Sequence, residues 1–372
     1  MLWPTDVTVA VLRKLEPPVV VGGLVGAPLD VGGPESSAFA RRFHEPSRAF
    51  SATLQSSLRV DKAWYCAVAP LRARLVVVST PRQLGAALAR LTHGSAAAAD
   101  VRTLIVGDLS GRFFEPAVSV SKLIGACVNA AVIVVCSVTA SAPLPASCRT
   151  LCVQQARLPE LLVLLAQGAD SIEALCVDVL SHGESAAMQH RTLDLKRLRA
   201  LSTGRGGLWR AIAPGVALAG SLRTLRLESL DWLQDGDAAG ELIARPDGFA
   251  AITTAVISGV WPRHDLSPPL LSWLPRSIEA IGLGWTRGVM LDPVDMRVRN
   301  GLAPAIHRVA AELEDPSVVP NLRRIHHIAP SARHVLKSRR LTAAFVRLAT
   351  VCNARGIDVV HDQPGSPSLL DI

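Results

Sequence analysis

The stretch "SLRTLRLESL", residues 221–230, sets apolar residues at Leu222, Leu225 and Leu227 behind a leading serine. The same order returns at "DVRTLIVGDL" from Asp100, "SCRTLCVQQA" from Ser147, "SIEALCVDVL" from Ser171, "SIEAIGLGWT" from Ser277 and "NLRRIHHIAP" from Asn321. Weaker copies are "NAAVIVVCSV" from Asn129, "ITTAVISGV" from Ile252 and "GIDVVHD" from Gly356. A step of two between the later apolar positions puts them on one face of a strand. Helix-like runs precede most copies: "PRQLGAALARL", "VSKLIGACV", "LPELLVLLAQG", "LWRAIAPGVALAG", "LAPAIHRVAAEL" and "TAAFVRLATVCNARG". One strand–helix unit cannot bury its own apolar face. Stacked neighbours share a continuous core, with strands in one parallel sheet and helices on its outer side. The copies recur at irregular intervals, so a strict period is absent. An ordinary α/β domain with a parallel sheet is the alternative. The repeated phrase favours an irregular solenoid.

The composition agrees with a large buried core. Of 372 residues, 49% are hydrophobic and only 4% aromatic, and the mean hydropathy is +0.31. The net charge of +8 comes mostly from arginine and points to acidic partners, if to any. The seven cysteines form no CxxC pair and most sit in apolar runs. They read as buried, reduced thiols of a cytoplasmic or nuclear protein. The N-terminus lacks the basic region of a secretory leader. "LIGACVNAAVIVVCSVTA", Leu123 to Ala140, is uncharged and about as long as a membrane span. Asn129 interrupts it, and its second half turns β-branched, so a buried helix–strand junction is expected and membrane association is not.

The N-terminal part differs from the array. "WPTDVTVAVLRKL" has helical spacing at Val7, Val11, Leu12 and Leu15, with Pro4 in the first turn. Residues 16–50 are rich in Gly, Pro, Ser and Ala without a sustained period and are expected to be a disordered loop. "SLRVDKAWYCAVAPL", Ser57 to Leu71, then brings Trp64 and Tyr65 together.

Set side by side, "WPTDVTVAVLRKL" and "SLRVDKAWYCAVAPLRARLVVVSTPRQL" resemble the two halves of an F-box. Pro4, Asp6, Val7, Val11, Leu12 and Leu15 match the first half, with Trp3 in place of the usual leucine and Thr8 in place of an apolar residue. Val60 and Trp64 match the second half, and the strand and "PRQL" that follow are similar to the start of many fungal F-box proteins with a leucine-rich-repeat-like C-terminal part. The halves lie more than forty residues apart, against about a dozen in the family. The insert reads either as an extruded loop, which closure entropy tolerates, or as intron sequence translated in frame. "SATLQSSL", residues 51–58, is a candidate for part of the middle helix.

The resemblance implies an α/β protein: a short helical F-box followed by an irregular leucine-rich-repeat-like solenoid with a parallel sheet. The expected divisions are residues 1–71 for the F-box with its insert at about 16–52, 72–362 for the array, and 363–372 for a flexible tail. It also implies a substrate-recognition subunit of an SCF-type (cullin-RING) ubiquitin ligase, without chemistry of its own. The F-box would bind the ligase adaptor through Pro4, Val7, Val11, Leu12, Leu15, Leu58, Val60, Trp64 and Tyr65, and through it the cullin. A scaffold that does not engage the ligase, because its F-box is interrupted, is the alternative.

Other motifs carry less. "VVVGGLVGA", Val19 to Ala27, lacks the first glycine of a dinucleotide loop, and "STGRGGLWRAI", Ser202 to Ile212, lacks the Lys-Ser/Thr of a P-loop. His307, His326, His327, His334 and His361 have no metal-ligand spacing and are expected to be solvent-facing or satisfied, so neither metal nor cofactor is expected. No GxSxG nucleophile motif is present. From Asn321 to Ile357 there is no Asp or Glu. Arg323, Arg324, Arg339 and Arg340 within it are candidates for an acidic or phosphorylated substrate, since guanidinium pairs bidentately with carboxylate and phosphate. Nucleic acid is not expected, because Phe345 alone is interleaved for stacking. Trp261 and Trp285 follow strand-like runs and are further substrate-contact candidates.

Overall fold

The computed structural model describes residues 49–59, 62–93, 95–107, 117–137, 143–181, 193, 195–203, 212, 220–227, 249–258, 271–272, 274–284, 296–328 and 339–362. They form a mixed α/β fold in two compact units that divide between residues 188 and 189. The expected helix at Pro4–Leu15, the loop that follows it as far as residue 48, the run "LWRAIAPGVALAG" apart from Ile212 and Gly220, and the C-terminal tail lie outside the described residues. The end of the expected loop, Ala49 to Ala52, is helical instead, because Phe50 packs with Leu54 in a buried cluster.

In the first unit, residues 49–57 are helical. They are followed by α1 (Lys62–Arg74), β1 (Leu75–Val78), α2 (Pro81–His93), α3 (Ser95–Ala99), β2 (Thr103–Val106), α4 (Ala117–Ala126), β3 (Val132–Ser137), β4 (Thr150–Arg157), α5 (Leu158–Gln167) and β5 (Ala174–Ser181). The second unit holds β6 (Ala200–Thr203), β7 (Thr224–Leu227), β8 (Thr254–Ser258), β9 (Ala280–Gly284), α6 (Met296–Glu314), β10 (Arg324–Ile328), α7 (Arg339–Ala354) and β11 (Asp358–Asp362). Within each unit the strands lie side by side in chain order, and every pairing is parallel. Each copy of the phrase supplies one strand. β6 is the copy that the phrase does not predict, because Arg197 stands where the clear copies carry Ser, Asn or Asp.

Register explains why the phrase repeats. Leu104, Ile133, Leu151 and Leu175 share one row in the first unit; Leu201, Leu225, Ala255, Ile281 and Ile325 share one in the second, and all are buried. The leading apolar residue of each copy is buried too, as at Val101, Ala130, Cys148, Ile172, Leu198, Leu222, Ile252, Ile278 and Leu322. Burying one such side chain contributes about 2 kcal/mol, so the rows form a core that grows with each strand. The next position along the strand is also buried, at Ile105, Val134, Cys152, Cys176, Ser202, Val256 and His326. Consecutive strand residues point to opposite faces, so the sheet is covered on both sides where it is described, as parallel sheets generally are. Helices on an outer side alone, as expected from the sequence, do not account for that.

Hydrogen bonds tie each copy to its neighbour at the strand entry. The Arg199 carbonyl accepts the N–H groups of Arg223 and Thr224, and the Arg223 carbonyl accepts those of Thr253 and Thr254. The phrase's side chains join in. Ser147 Oγ donates to the carbonyls of Val128 and Ala130, both 3.0 Å away, Ser221 Oγ to Leu198 at 2.9 Å and Ser277 Oγ to Ile252 at 2.6 Å. Arg102, Arg149 and Arg223 reach the other way, to the carbonyls of Asn129, Ser171 and Ala251. The recurrent Ser and Arg are therefore staples between successive strands.

The helix entries are equally local. In "STPRQL", Thr80 Oγ1 accepts the Gln83 N–H while the Gln83 side chain accepts the Ser79 N–H, and Pro81 opens α2 where a missing donor costs nothing. Pro70 lies inside α1, which continues to Arg74 before β1 begins. Leu123 to Ala140 resolves, in its described part, into the end of α4, a turn and β3. Among the described residues no helix is long and apolar enough to cross a membrane.

Candidate adaptor-binding module and basic face

The described part of the candidate module is a pair of helical segments. Phe50, Leu54 and Leu58 recur every four residues along the first, and Val68 and Leu71 face them from α1. Phe50, Leu54, Val68 and Leu71 are buried together, with Leu58 and Leu75 packed partly buried against them. Leu75 is the first residue of β1, so the pair is joined to the sheet through its own core. Thr53 and Ser56 on the exposed side of the first segment and Ser57, which is buried, donate to the carbonyls four residues back. The apolar surface left to solvent is on α1, where Tyr65 is 55% exposed and Cys66 and Pro70 are exposed beside it.

Of the nine adaptor-contact candidates, Leu58 lies in this small core and Tyr65 on its surface. Trp64 is in α1, but its side chain lies outside the described residues, as do Pro4, Val7, Val11, Leu12, Leu15 and Val60 entirely. Phe50, Leu54, Val68 and Leu71 were missing from the candidates, although the four-residue spacing of Phe50, Leu54 and Leu58 is the helical signal that marks them.

The substrate-contact candidates separate. Trp261 and Trp285 lie outside the described residues. Arg323 is exposed at the entry of β10, and Arg324 pairs with Asp358 at 3.6 Å across the next rung. Arg339 and Arg340 are exposed in the first turn of α7. The 16 residues of α7 span about 24 Å, and the chain leaves its far end to enter β11 beside Arg323. The two pairs of arginines therefore sit at opposite ends of the helix.

Two further arginines of the acid-free stretch are taken up by structure. Arg347 binds Glu314 at 2.6 Å, joining α7 to α6. The Arg355 guanidinium donates to the carbonyls of Leu313, Asp315, Val318 and Val319, closing the C-terminal end of α6. Val319 has φ +42°, a left-handed conformation that strains a β-branched residue, and Arg355 holds its carbonyl in place.

Among the described residues, the cysteine thiols whose pKa is shifted are pushed up, away from the reactive thiolate. Burial pushes the Cys148 thiol up to about 12 and the Cys127 and Cys352 thiols up to about 11. Six cysteines are buried; Cys66 is exposed, unlike the buried thiols expected, and none of the seven forms a disulfide. His326 is buried on β10, so of the two expected states, solvent-facing or satisfied, it does not take the first. Among the described residues no three His, Cys, Asp or Glu side chains come together to hold a metal ion. No family model matches the chain, and no curated protein matches it.

Proposed function

We propose that the protein is a substrate receptor of an SCF-type ubiquitin ligase, in which an F-box-like helical module binds the adaptor and a leucine-rich-repeat-like solenoid binds the substrate. The observation that carries the reading is the junction at Leu75. A small helical pair with an exposed aromatic residue shares its core with the first strand of a sheet whose strands follow one another in chain order. That order, with no reversal inside either unit, is what stacking of successive strand–helix copies produces. A doubly wound α/β domain would reverse its strand order at a switch point. A receptor of this kind acts by raising the effective concentration of substrate lysines near the charged enzyme, which requires binding surfaces and no catalytic group. It would work in the cytoplasm or nucleus.

Tyr65 supplies the aromatic anchor on the adaptor side, with Pro4, Val7, Val11, Leu12, Leu15, Val60 and Trp64 completing the patch. Co-purification of adaptor and cullin with the tagged full chain tests the reading. Pro4→Ala/Leu12→Ala is expected to abolish it and Tyr65→Ala to weaken it; unchanged recovery from both variants overturns the adaptor assignment. The length of the insert favours a second reading, a scaffold that never engages the ligase. A chain lacking residues 17–50 separates the two. If it binds the adaptor and the full chain does not, the scaffold reading holds.

A further inference from the structure

The second unit carries a concentration of positive charge that is dispersed in sequence. Each strand is entered through a short turn, and in-register pairing places these turns in a row. Ala200, Thr224, Thr254, Ala280 and Arg324 are successive partners across β6 to β10. The residues just before them, Arg199, Arg223, Thr253, Glu279 and Arg323, therefore line one edge of the sheet. Lys196 and Arg276 stand at equivalent places in their turns, and Arg197 lies beside Lys196. All the basic residues of this row are exposed. Arg197, Arg199, Arg276 and Arg323 form no ion pair among the described residues, while Arg223 also staples to the Ala251 carbonyl.

Among the described residues, the acids at the same end are mostly engaged. Glu312 accepts the N–H groups of Leu271 and Ser272, Glu314 binds Arg347, Asp315 accepts from Ser317, and Asp358 pairs with Arg324. Hydrogen bonds from Ser317 hold the Asp315 carboxyl below its usual pKa, so it stays ionised but occupied. Glu279 is the acid that interrupts the row. The faces of the sheet are closed where described, since consecutive strand residues such as Ile325 and His326 are buried. The strand-entry edge is thus an exposed strip of net positive charge.

We propose that this edge is a docking strip for an extended, acidic polypeptide segment. Adjacent strands are about 4.8 Å apart, so Arg199 to Arg323 covers about 19 Å, the length of roughly six extended residues. A strip of separated guanidinium groups pairs with carboxylates along such a segment. Nucleic acid fits less well, because among the described residues the aromatic at this edge, Phe249, is buried and offers no stacking face. The inference rests on the receptor reading only for making the segment part of a substrate; the strip itself is a property of the second unit.

The test uses the purified full chain and a fluorescein-labelled oligo-glutamate peptide, read by anisotropy, with oligo-uridylate as the competing probe. Arg199→Glu/Arg276→Glu/Arg323→Glu reverses the strip and spares the Arg223 staple. Arg59→Glu/Arg82→Glu/Arg90→Glu makes the same charge change at exposed sites elsewhere. The strip variant should bind the peptide about tenfold more weakly or worse, and the control variant within about twofold of wild type. Wild-type binding should also weaken steeply with salt. Equal loss in both variants, no loss in the strip variant, no binding by wild type, or tighter binding of oligo-uridylate each overturns the proposal. Circular dichroism of both variants establishes that they are folded; should the strip variant fail to fold, Arg199→Gln/Arg323→Gln replaces it against the same criteria. Adaptor co-purification with the strip variant is expected to be unchanged. A failed peptide titration therefore leaves the receptor reading standing, and a failed co-purification leaves the strip standing.

Discussion

Replacing Ser277 with alanine tests whether the repeated serine is a staple or merely a polar turn residue. Its Oγ lies 2.6 Å from the Ile252 carbonyl oxygen, one strand back, and 3.4 Å from that of Phe249. The Phe249 carbonyl already accepts the Ile252 N–H, so Ile252 is the acceptor that loses its donor. A hydrogen bond of this kind contributes about 1 kcal/mol net, and leaving a half-buried carbonyl unsatisfied adds up to about another 1 kcal/mol. The expected cost of Ser277→Ala is therefore about 1–2 kcal/mol. Ser171 is the internal comparison, because it occupies the same place in "SIEAL". Its Oγ donates at 3.2 Å to the Gly168 carbonyl of its own turn, which also accepts the Ser171 and Ile172 N–H groups. Ser171→Ala leaves that acceptor satisfied and should cost about 0.5 kcal/mol or less. Urea unfolding of the two variants reads the difference, provided that the slope with denaturant stays that of wild type. Equal losses, or a loss at Ser277 of only a few tenths of a kcal/mol, would refute the staple.

Ile281→Ala, in the fully buried row of the second unit, should cost about 2–5 kcal/mol in the same assay, more than the staple. Arg355→Ala should cost about 2–3 kcal/mol by releasing the carbonyls at the end of α6, and Arg355→Lys should not restore it, because a lysine ammonium lacks the fork that spans them. In the native chain at mild pH only Cys66 should react quickly with a thiol reagent, and the remaining six should react on unfolding; several fast thiols would contradict the buried core. The raised Cys148 pKa makes a pH prediction whose sign is fixed. The folded state disfavours the thiolate, so this contribution to stability is complete below the unfolded value near 9 and is lost as pH rises toward about 12. The urea midpoint should accordingly fall above about pH 9, and Cys148→Ala should flatten that fall.

The strands were legible in the sequence because each copy must place its apolar residues in a row that neighbouring copies extend. Leu222 and Leu225 are buried for the reason that Ile278 and Ile281 are. β6 escaped because recognition leaned on the leading Ser or Asn, whereas what the fold requires is the buried pair Leu198 and Leu201; Arg197 at the front is exposed and free to vary. The role of the serine was not legible, since its partner is a backbone carbonyl that sequence does not mark. The charge pattern misled in an instructive way. The acid-free stretch looked like one basic face, but Arg324, Arg347 and Arg355 bind Asp358, Glu314 and backbone carbonyls, and Arg339 and Arg340 sit a helix length from Arg323. Proximity in sequence along a helix returning to the sheet is not proximity in space.

Burial on both faces of the strands constrains how an array of this kind can recognise anything. In a sheet open on one side, residues such as Ile105, Val134, Cys152 and Val256 would alternate with the core rows and present side chains to a partner. Here they are apolar or sulfur-bearing and buried. A partner would have to displace whatever covers them, exposing apolar rows worth about 2 kcal/mol per side chain. The strand ends carry no such penalty. There, the first strand position softens to half-buried Thr224, Thr254, Ala280 and Arg324, and the residues before it, Thr253 apart, are charged and exposed. Substitutions at the entry residues should therefore alter binding with little effect on stability, while those one step inside the strand should do the reverse. Arg199→Gln against Leu201→Ala is the sharpest such pair, because a single residue, Ala200, separates an exposed cation at the entry of β6 from a fully buried leucine within it. If Arg199→Gln lowered the urea midpoint as much as Leu201→Ala, the division between a recognition edge and a structural core would fail.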